Sequence, residues 1–159
     1  MSAFAGVESE RHLCFQLSNN STSVIKEVFG GVLQSQVKCL TCNGEKIRCE
    51  EMMDLILDVE NASDMLDSLQ QFVQADLLEG DNACFCERCD SKKPAAMTSN
   101  ICSPPNILTV ALRRFYGSTG RKISKDFPFP ETFDMRPFMS QPHGPAIKYN
   151  LYAVLVHSG

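Results

Sequence analysis

What this chain of 159 residues lacks narrows its class before any motif is considered. It has no apolar run approaching the roughly 20 residues that a bilayer-spanning helix needs, so no transmembrane segment is expected. Its start, Met1-Ser2-Ala3-Phe4-Ala5-Gly6, lacks both a basic leader and a long apolar stretch, which argues against a secretory signal. A reducing compartment is therefore expected, where disulfides are rare. Positive charge is not in excess: 15 Lys and Arg face 19 Asp and Glu, a formal net charge of -4. Such a balance suits a basic partner surface better than a phosphate backbone. The apolar and charged fractions, 43% and 21%, are those of a soluble globular chain, long enough for one domain with a real core and too short for two.

Eight cysteines are present, and four of them form two pairs with the same spacing, Cys39-Leu-Thr-Cys42 and Cys86-Glu-Arg-Cys89. A C-x-x-C turn points two sulfurs one way, and two such turns brought together supply the four thiolates that tetrahedral Zn²⁺ prefers. Redox-active dithiols are the weaker reading, because neither pair opens a helix after a strand. Disulfides are disfavoured by the expected compartment. The prediction is one structural zinc held by Cys39, Cys42, Cys86 and Cys89. With no basic, aromatic-laced face beside it, a nucleic-acid-binding zinc ribbon is not expected.

Along the chain, residues 1–21 are weakly patterned and end in the polar run Ser18-Asn19-Asn20-Ser21. His12 and Cys14 lie there, but nothing around them supplies a helix N-terminus or an oxyanion donor, so Cys14 reads as structural or incidental. Leu33, Ser35 and Val37 then share one face of a strand that leads to the first cysteine pair. A second extended run, residues 46–59, carries the chain away, giving a hairpin with the metal near its tip. Ser63 is a plausible N-cap for a helix through about Ala75, with Met65, Leu66, Leu69, Phe72 and Val73 as its apolar stripe. The stretches 106–115 and 149–157 read as largely buried strands, and Phe127-Pro128-Phe129-Pro130 as extended chain that no helix tolerates.

These residues resemble the catalytic domain of the ubiquitin-specific proteases, thiol deubiquitinases with a papain-like core and zinc-bearing fingers. The likeness is carried by Phe29-Gly30-Gly31 with the first cysteine pair, by Gly80-Asp81-Asn82 running into the second, by Ile107 to Phe115, and by Tyr149 to Gly159. Residues 122–126 and 134–141 are most similar to a nuclear and nucleolar subgroup of animal enzymes. The resemblance implies an α+β fold: a weakly patterned leader over 1–21, then a partial ubiquitin-specific protease domain over 22–159. Its fingers would span about 29–100 and its palm strands about 106–159.

The family carries its nucleophile in a Gly-Asn-Thr-Cys box and its base in a Gly-His-Tyr box, and neither occurs in this sequence. His157 stands where the family has a non-catalytic histidine. No catalytic residue is therefore assigned, since a cysteine protease needs a thiolate, a base and oxyanion donors together. The implied role is ubiquitin recognition within a deubiquitinating enzyme, in the cytosol and nucleus, truncated at both ends. The alternative is a non-catalytic, zinc-dependent ubiquitin-binding or decoy module. The loop of Tyr116, Gly117, Arg121 and Lys122 corresponds to one that closes over ubiquitin's C-terminal tail, and Glu50, Glu51, Asp54 and Asp58 are candidates to meet that basic tail. Ubiquitin and ubiquitinated proteins are the expected partners, and no membrane is.

Overall fold

The computed structural model describes residues 23–156. In chain order they form α1 (Val24–Phe29), β1 (Gly31–Cys39), β2 (Glu45–Met52), β3 (Leu55–Asp58), α2 (Met65–Val73), β4 (Asp76–Leu78), β5 (Cys84–Cys86), β6 (Ser91–Lys93), β7 (Ala95–Ser103), β8 (Val110–Arg113), β9 (Thr132–Asp134) and β10 (Lys148–Asn150). Single 3₁₀ turns occupy Gly80–Asn82 and Arg136–Phe138. Among the described residues no helix is long and apolar enough to cross a membrane. The architecture is mixed and mostly strand, as expected of the α+β class.

A four-stranded sheet of order β2-β1-β7-β4 is the backbone of the molecule. β1 sits inside it, antiparallel to β2 from Gly31 opposite Met52 to Lys38 opposite Glu45, and antiparallel to β7 on its other edge. Gly31 is required where the three strands crowd: a Cβ there would lie 2.8 Å from the Met52 side chain and 2.9 Å from the Ser103 carbonyl. The expected sharing of a face by Leu33, Ser35 and Val37 agrees with this register, which sets them opposite Ile101, Ser99 and Met97. All three are half-buried; in the same strand, Val32 and Gln34 on the other face are buried more deeply.

The apolar core lies at one end of this sheet. Leu55, Leu57 and Val59 meet Met65 and Leu69 of α2, Ile101 of β7, Phe138 of the second 3₁₀ turn and Met135 and Met139 that flank it, with Leu33 packed against the group. Full burial of one such aliphatic side chain contributes about 1.5–3 kcal/mol. β3 and β8 run parallel, Leu55 beside Val110 and Asp58 beside Arg113.

Four details differ from the sequence reading. Residues 46–59 are two strands, because the chain bends at Met53-Asp54 to leave β1 and join β8. Asp64, not Ser63, caps α2, accepting the Asp67 N–H at 2.9 Å, while the Ser63 N–H donates to Asp67 Oδ2 at 2.7 Å. The cap thus lies one residue downstream of the expected one, and the helix stops at Val73. Within 106–115 only Val110–Arg113 pairs as a strand. In 149–157 the ladder ends at Asn150, since its partner β9 has only three residues, and Leu151 makes a last bond to the Glu131 carbonyl at 2.7 Å. Residues 151–156 are exposed, Leu155 fully so, rather than buried. His12, Cys14 and His157 lie outside the described residues.

Candidate metal centre

Two turns of one design build the centre. In the first, between β1 and β2, the Cys39 N–H donates to the Gly44 carbonyl and the Asn43 N–H to the Cys39 carbonyl, both at 2.9 Å. In the second, between β5 and β6, the Cys89 N–H donates to the Cys86 carbonyl at 3.1 Å, and Ser91 Oγ to the Cys89 carbonyl at 3.0 Å. The residue after each pair takes the left-handed conformation, Asn43 with φ 55° and Asp90 with φ 48°. Asn and Asp are the side chains that accept that conformation most readily after glycine. Gly44 follows Asn43 where a Cβ would stand 2.9 Å from Arg88 Cδ and 3.3 Å from Cys42 Sγ, so the second knuckle packs directly against the first.

The sulfurs of Cys39, Cys42, Cys86 and Cys89 all lie within 4.8 Å of one another, and Cys42 Sγ is 3.5 Å from Cys86 Sγ. Metal–sulfur bonds of about 2.3 Å in a tetrahedron put sulfurs roughly 3.8 Å apart, so the cluster fits a divalent ion with small adjustments. Cys39 is buried and the other three are half-buried. The Gly44 N–H points at Cys42 Sγ from 3.4 Å, the orientation that stabilises a coordinated thiolate.

Two thiols are perturbed in opposite directions. The Cys42 N–H, aided by that of Thr41 and by the Cys86 and Cys42 thiols, lowers Cys39 to about 6 against the opposing effect of burial. Cys89 is pushed up to about 12 by its bond to the Cys42 thiol, then by burial and by the Cys86 and Cys39 thiols. Four sulfurs this close cannot all be anionic unless a cation neutralises them. The group is a soft, closed donor set with no position left for substrate, which is the pattern of a structural site.

The remaining candidates are dispersed. Glu50 is exposed on β2, Glu51 pairs with Lys26 at 2.6 Å, and Asp58 pairs with Arg113 at 3.2 Å. The loop after β8 is a closed turn: the Tyr116 N–H donates to the Arg121 carbonyl at 2.9 Å and the Gly120 N–H to the Tyr116 carbonyl at 2.8 Å. Tyr116, Arg121 and Lys122 line an open depression of about 440 Å³ together with Ser118 and Thr119, which the sequence reading had not singled out. Gly117 is exposed on the same turn. The left-handed Asn43 and Asp90 were also missed as a pair; their signal was an Asn or Asp immediately after each C-x-x-C.

Comparison with known proteins places this geometry in a family. Ubiquitin carboxyl-terminal hydrolase 42 of Homo sapiens is 40% identical over 159 residues, 96% of this chain and 12% of its own length. Ubiquitin carboxyl-terminal hydrolase 17-like protein B of Mus musculus is 37% identical, and the match covers 96% of this chain and 34% of that protein. Ubiquitin carboxyl-terminal hydrolase 25 of Arabidopsis thaliana is 43% identical over 141 residues, 88% of this chain and 21% of its own length. The chain thus spans about a third or less of each of these relatives. Among solved structures, the SAGA DUB module of Ubp8, Sgf11, Sus1 and Sgf73 bound to monoubiquitin superposes with a TM-score of 0.76 at 25% identity, over 93% of this chain and 35% of that one. The profile of the ubiquitin carboxyl-terminal hydrolases matches residues 7–159, and the chain belongs to that family.

Proposed function

We propose that residues 22–159 are the ubiquitin-recognising fingers and part of the palm of a deubiquitinating cysteine protease. In this reading Cys39, Cys42, Cys86 and Cys89 hold one structural Zn²⁺, whose contribution is to tie the β1–β2 tip to the β5–β6 hairpin. The observation that carries the reading is the four-sulfur cluster at the tip of a fold that matches a ubiquitin-bound deubiquitinase module. The fingers are residues of about 29–100 and the palm strands those from about 106 onward. Tyr116, Gly117, Arg121 and Lys122 border ubiquitin's C-terminal tail, while Glu50 and Glu51 offer carboxylates to its basic side chains. Conjugated proteins in the cytosol and nucleus are the substrates of the whole enzyme.

Hydrolysis of the isopeptide bond after ubiquitin's terminal glycine requires a thiolate, a base and an oxyanion site. The family's Gly-Asn-Thr-Cys and Gly-His-Tyr boxes do not occur in this sequence, so in this reading its residues contribute binding and positioning. The test is incubation of the zinc-loaded chain with ubiquitin carrying a C-terminal thiol-reactive warhead, read by intact mass, beside a titration of unmodified ubiquitin. Binding without an adduct is the expected result. An adduct would overturn the recognition-only role, and absence of binding would remove ubiquitin as the ligand of these residues.

A further inference from the structure

Asn43-Gly44 is the sole Asn-Gly step in the chain, and it lies inside the first knuckle. This dipeptide is the one most prone to spontaneous deamidation, because glycine leaves its backbone nitrogen unobstructed. In that reaction the Gly44 nitrogen attacks Asn43 Cγ and forms a C–N bond. The bond from Cγ to the side-chain nitrogen breaks, and ammonia departs with the Gly44 N–H proton. Water then opens the cyclic imide to aspartate or isoaspartate.

The structure holds the backbone on both sides of the bond that this step must form. Asn43 is fixed at φ 55° with its N–H on the Cys39 carbonyl at 2.9 Å. The attacking nitrogen of Gly44 has its hydrogen directed at Cys42 Sγ, 3.4 Å away, and the Gly44 carbonyl accepts the Cys39 N–H at 2.9 Å. Arg88 of the opposite knuckle lies over Gly44, close enough that a Cβ would stand 2.9 Å from its Cδ. Yet Asn43 is exposed, so no packing of its side chain adds protection. Every restraint on the step therefore comes from the backbone and sulfurs of two metal ligands and from the knuckle the metal holds against them.

We propose that the metal centre gates deamidation at Asn43, making this knuckle a one-way chemical record of metal loss. The inference rests on the zinc reading above. With the ion in place the sulfurs fix the turn, and Gly44 cannot swing onto Asn43 Cγ. Once the ion leaves, the turn relaxes and cyclisation proceeds. The product carries a new negative charge beside a centre whose four thiolates already exceed the charge of one divalent ion, and isoaspartate lengthens the backbone by one carbon within the turn. Both changes oppose return of the metal. The second knuckle has Asp90 at the equivalent place, with no amide to lose.

The test is incubation of the full chain at mildly alkaline pH and 37 °C with zinc or with a chelator. Peptide mapping follows the amide-to-acid mass change at Asn43, and native mass spectrometry reports zinc occupancy in parallel. Chelation is expected to accelerate deamidation about tenfold or more, as local opening of a restrained turn does. Cys86→Ser, which breaks the centre from the opposite knuckle, is expected to deamidate at the chelated rate even in zinc buffer. Zinc bound with equal rates in both buffers overturns the gating, as does slow reaction in Cys86→Ser. No zinc bound at all removes the metal reading first, and the gating with it.

Discussion

The four-stranded sheet joins two ends that are ordered by different means. At one end Leu33 and Ile101 reach the cluster of Leu55, Leu57, Val59, Leu69 and Met135, and hydrophobic burial sets the arrangement. At the other the buried side chains are few, Cys39, Ile47 and Ala95, while Leu40 and Phe85 stand exposed beside the cysteines. The β5–β6 hairpin has only three residues per strand, too little to persist alone in water. The sheet is longer than its core, and at its far end a cluster of four cysteines stands where apolar area is missing.

The sharpest way to break this contrast is Cys86→Ser. Structural zinc contributes apparent binding energies of about 10–16 kcal/mol in isolated fingers, so losing one ligand is the largest effect expected here. Native mass spectrometry should find no bound metal, and hydrogen exchange should rise over 39–46 and 84–93 while 55–72 stay protected. A uniform rise over the whole chain would show that the two ends are one cooperative unit.

The converse is Leu69→Ala, which opens the fully buried centre of α2 and is expected to cost about 2–5 kcal/mol in a denaturant titration. Metal should remain bound at the tip under native conditions. Weaker still is Asp67→Asn in the first turn of α2. The Ser63 N–H, followed by the Gln71 side chain and, against burial, by the Ser63 hydroxyl and Lys125, holds the Asp67 carboxyl below its usual range. A carboxyl lowered by folding contributes stability that is complete above its unfolded value, near 3.9, and is lost as pH falls through the folded value. The variant should therefore lose stability at neutral pH and show a shallower acid limb than the parent in thermal melts from pH 6 to pH 2. An unchanged acid limb would assign no linkage to this carboxyl.

Much of the tip was legible because a metal site is written in residue identity and spacing: four cysteines in two C-x-x-C pairs name their own contact. Of the expected stripe of Met65, Leu66, Leu69, Phe72 and Val73, four meet the core and Leu66 is exposed instead. The parallel pairing of β3 with β8 was not legible, since nothing local in Leu55–Asp58 or Val110–Arg113 states which strands will be neighbours. Burial of 151–156 was over-read for a related reason. An apolar, β-branched run reports the environment a strand suits, whereas the ladder beside it depends on a partner, and β9 runs out at Thr132. The shift of the cap from Ser63 to Asp64 turned on a choice between adjacent good caps, which the carboxylate of Asp67 decides by reaching back to the Ser63 N–H. The loop residues 116–122 were placed on the surface as expected, but the cavity formed with Ser118 and Thr119 depends on how the turn closes.

The two halves of the metal centre have unequal histories. Cys42 and its contact Cys86 are 44 positions apart. A chain growing at about 5–20 residues per second therefore exposes the first cysteine pair roughly 2–9 s before the second exists. For that interval the β1–β2 hairpin presents two thiols with no partner, and the inner strand β1 also waits for β7 to cover its second edge. Emergence of β7, at Ala95–Ser103, follows the second pair closely, so zippering of the sheet and closure of the centre fall together. Placing the second knuckle just ahead of the strand that locks the first gives the growing polypeptide a single late moment at which its tip becomes native.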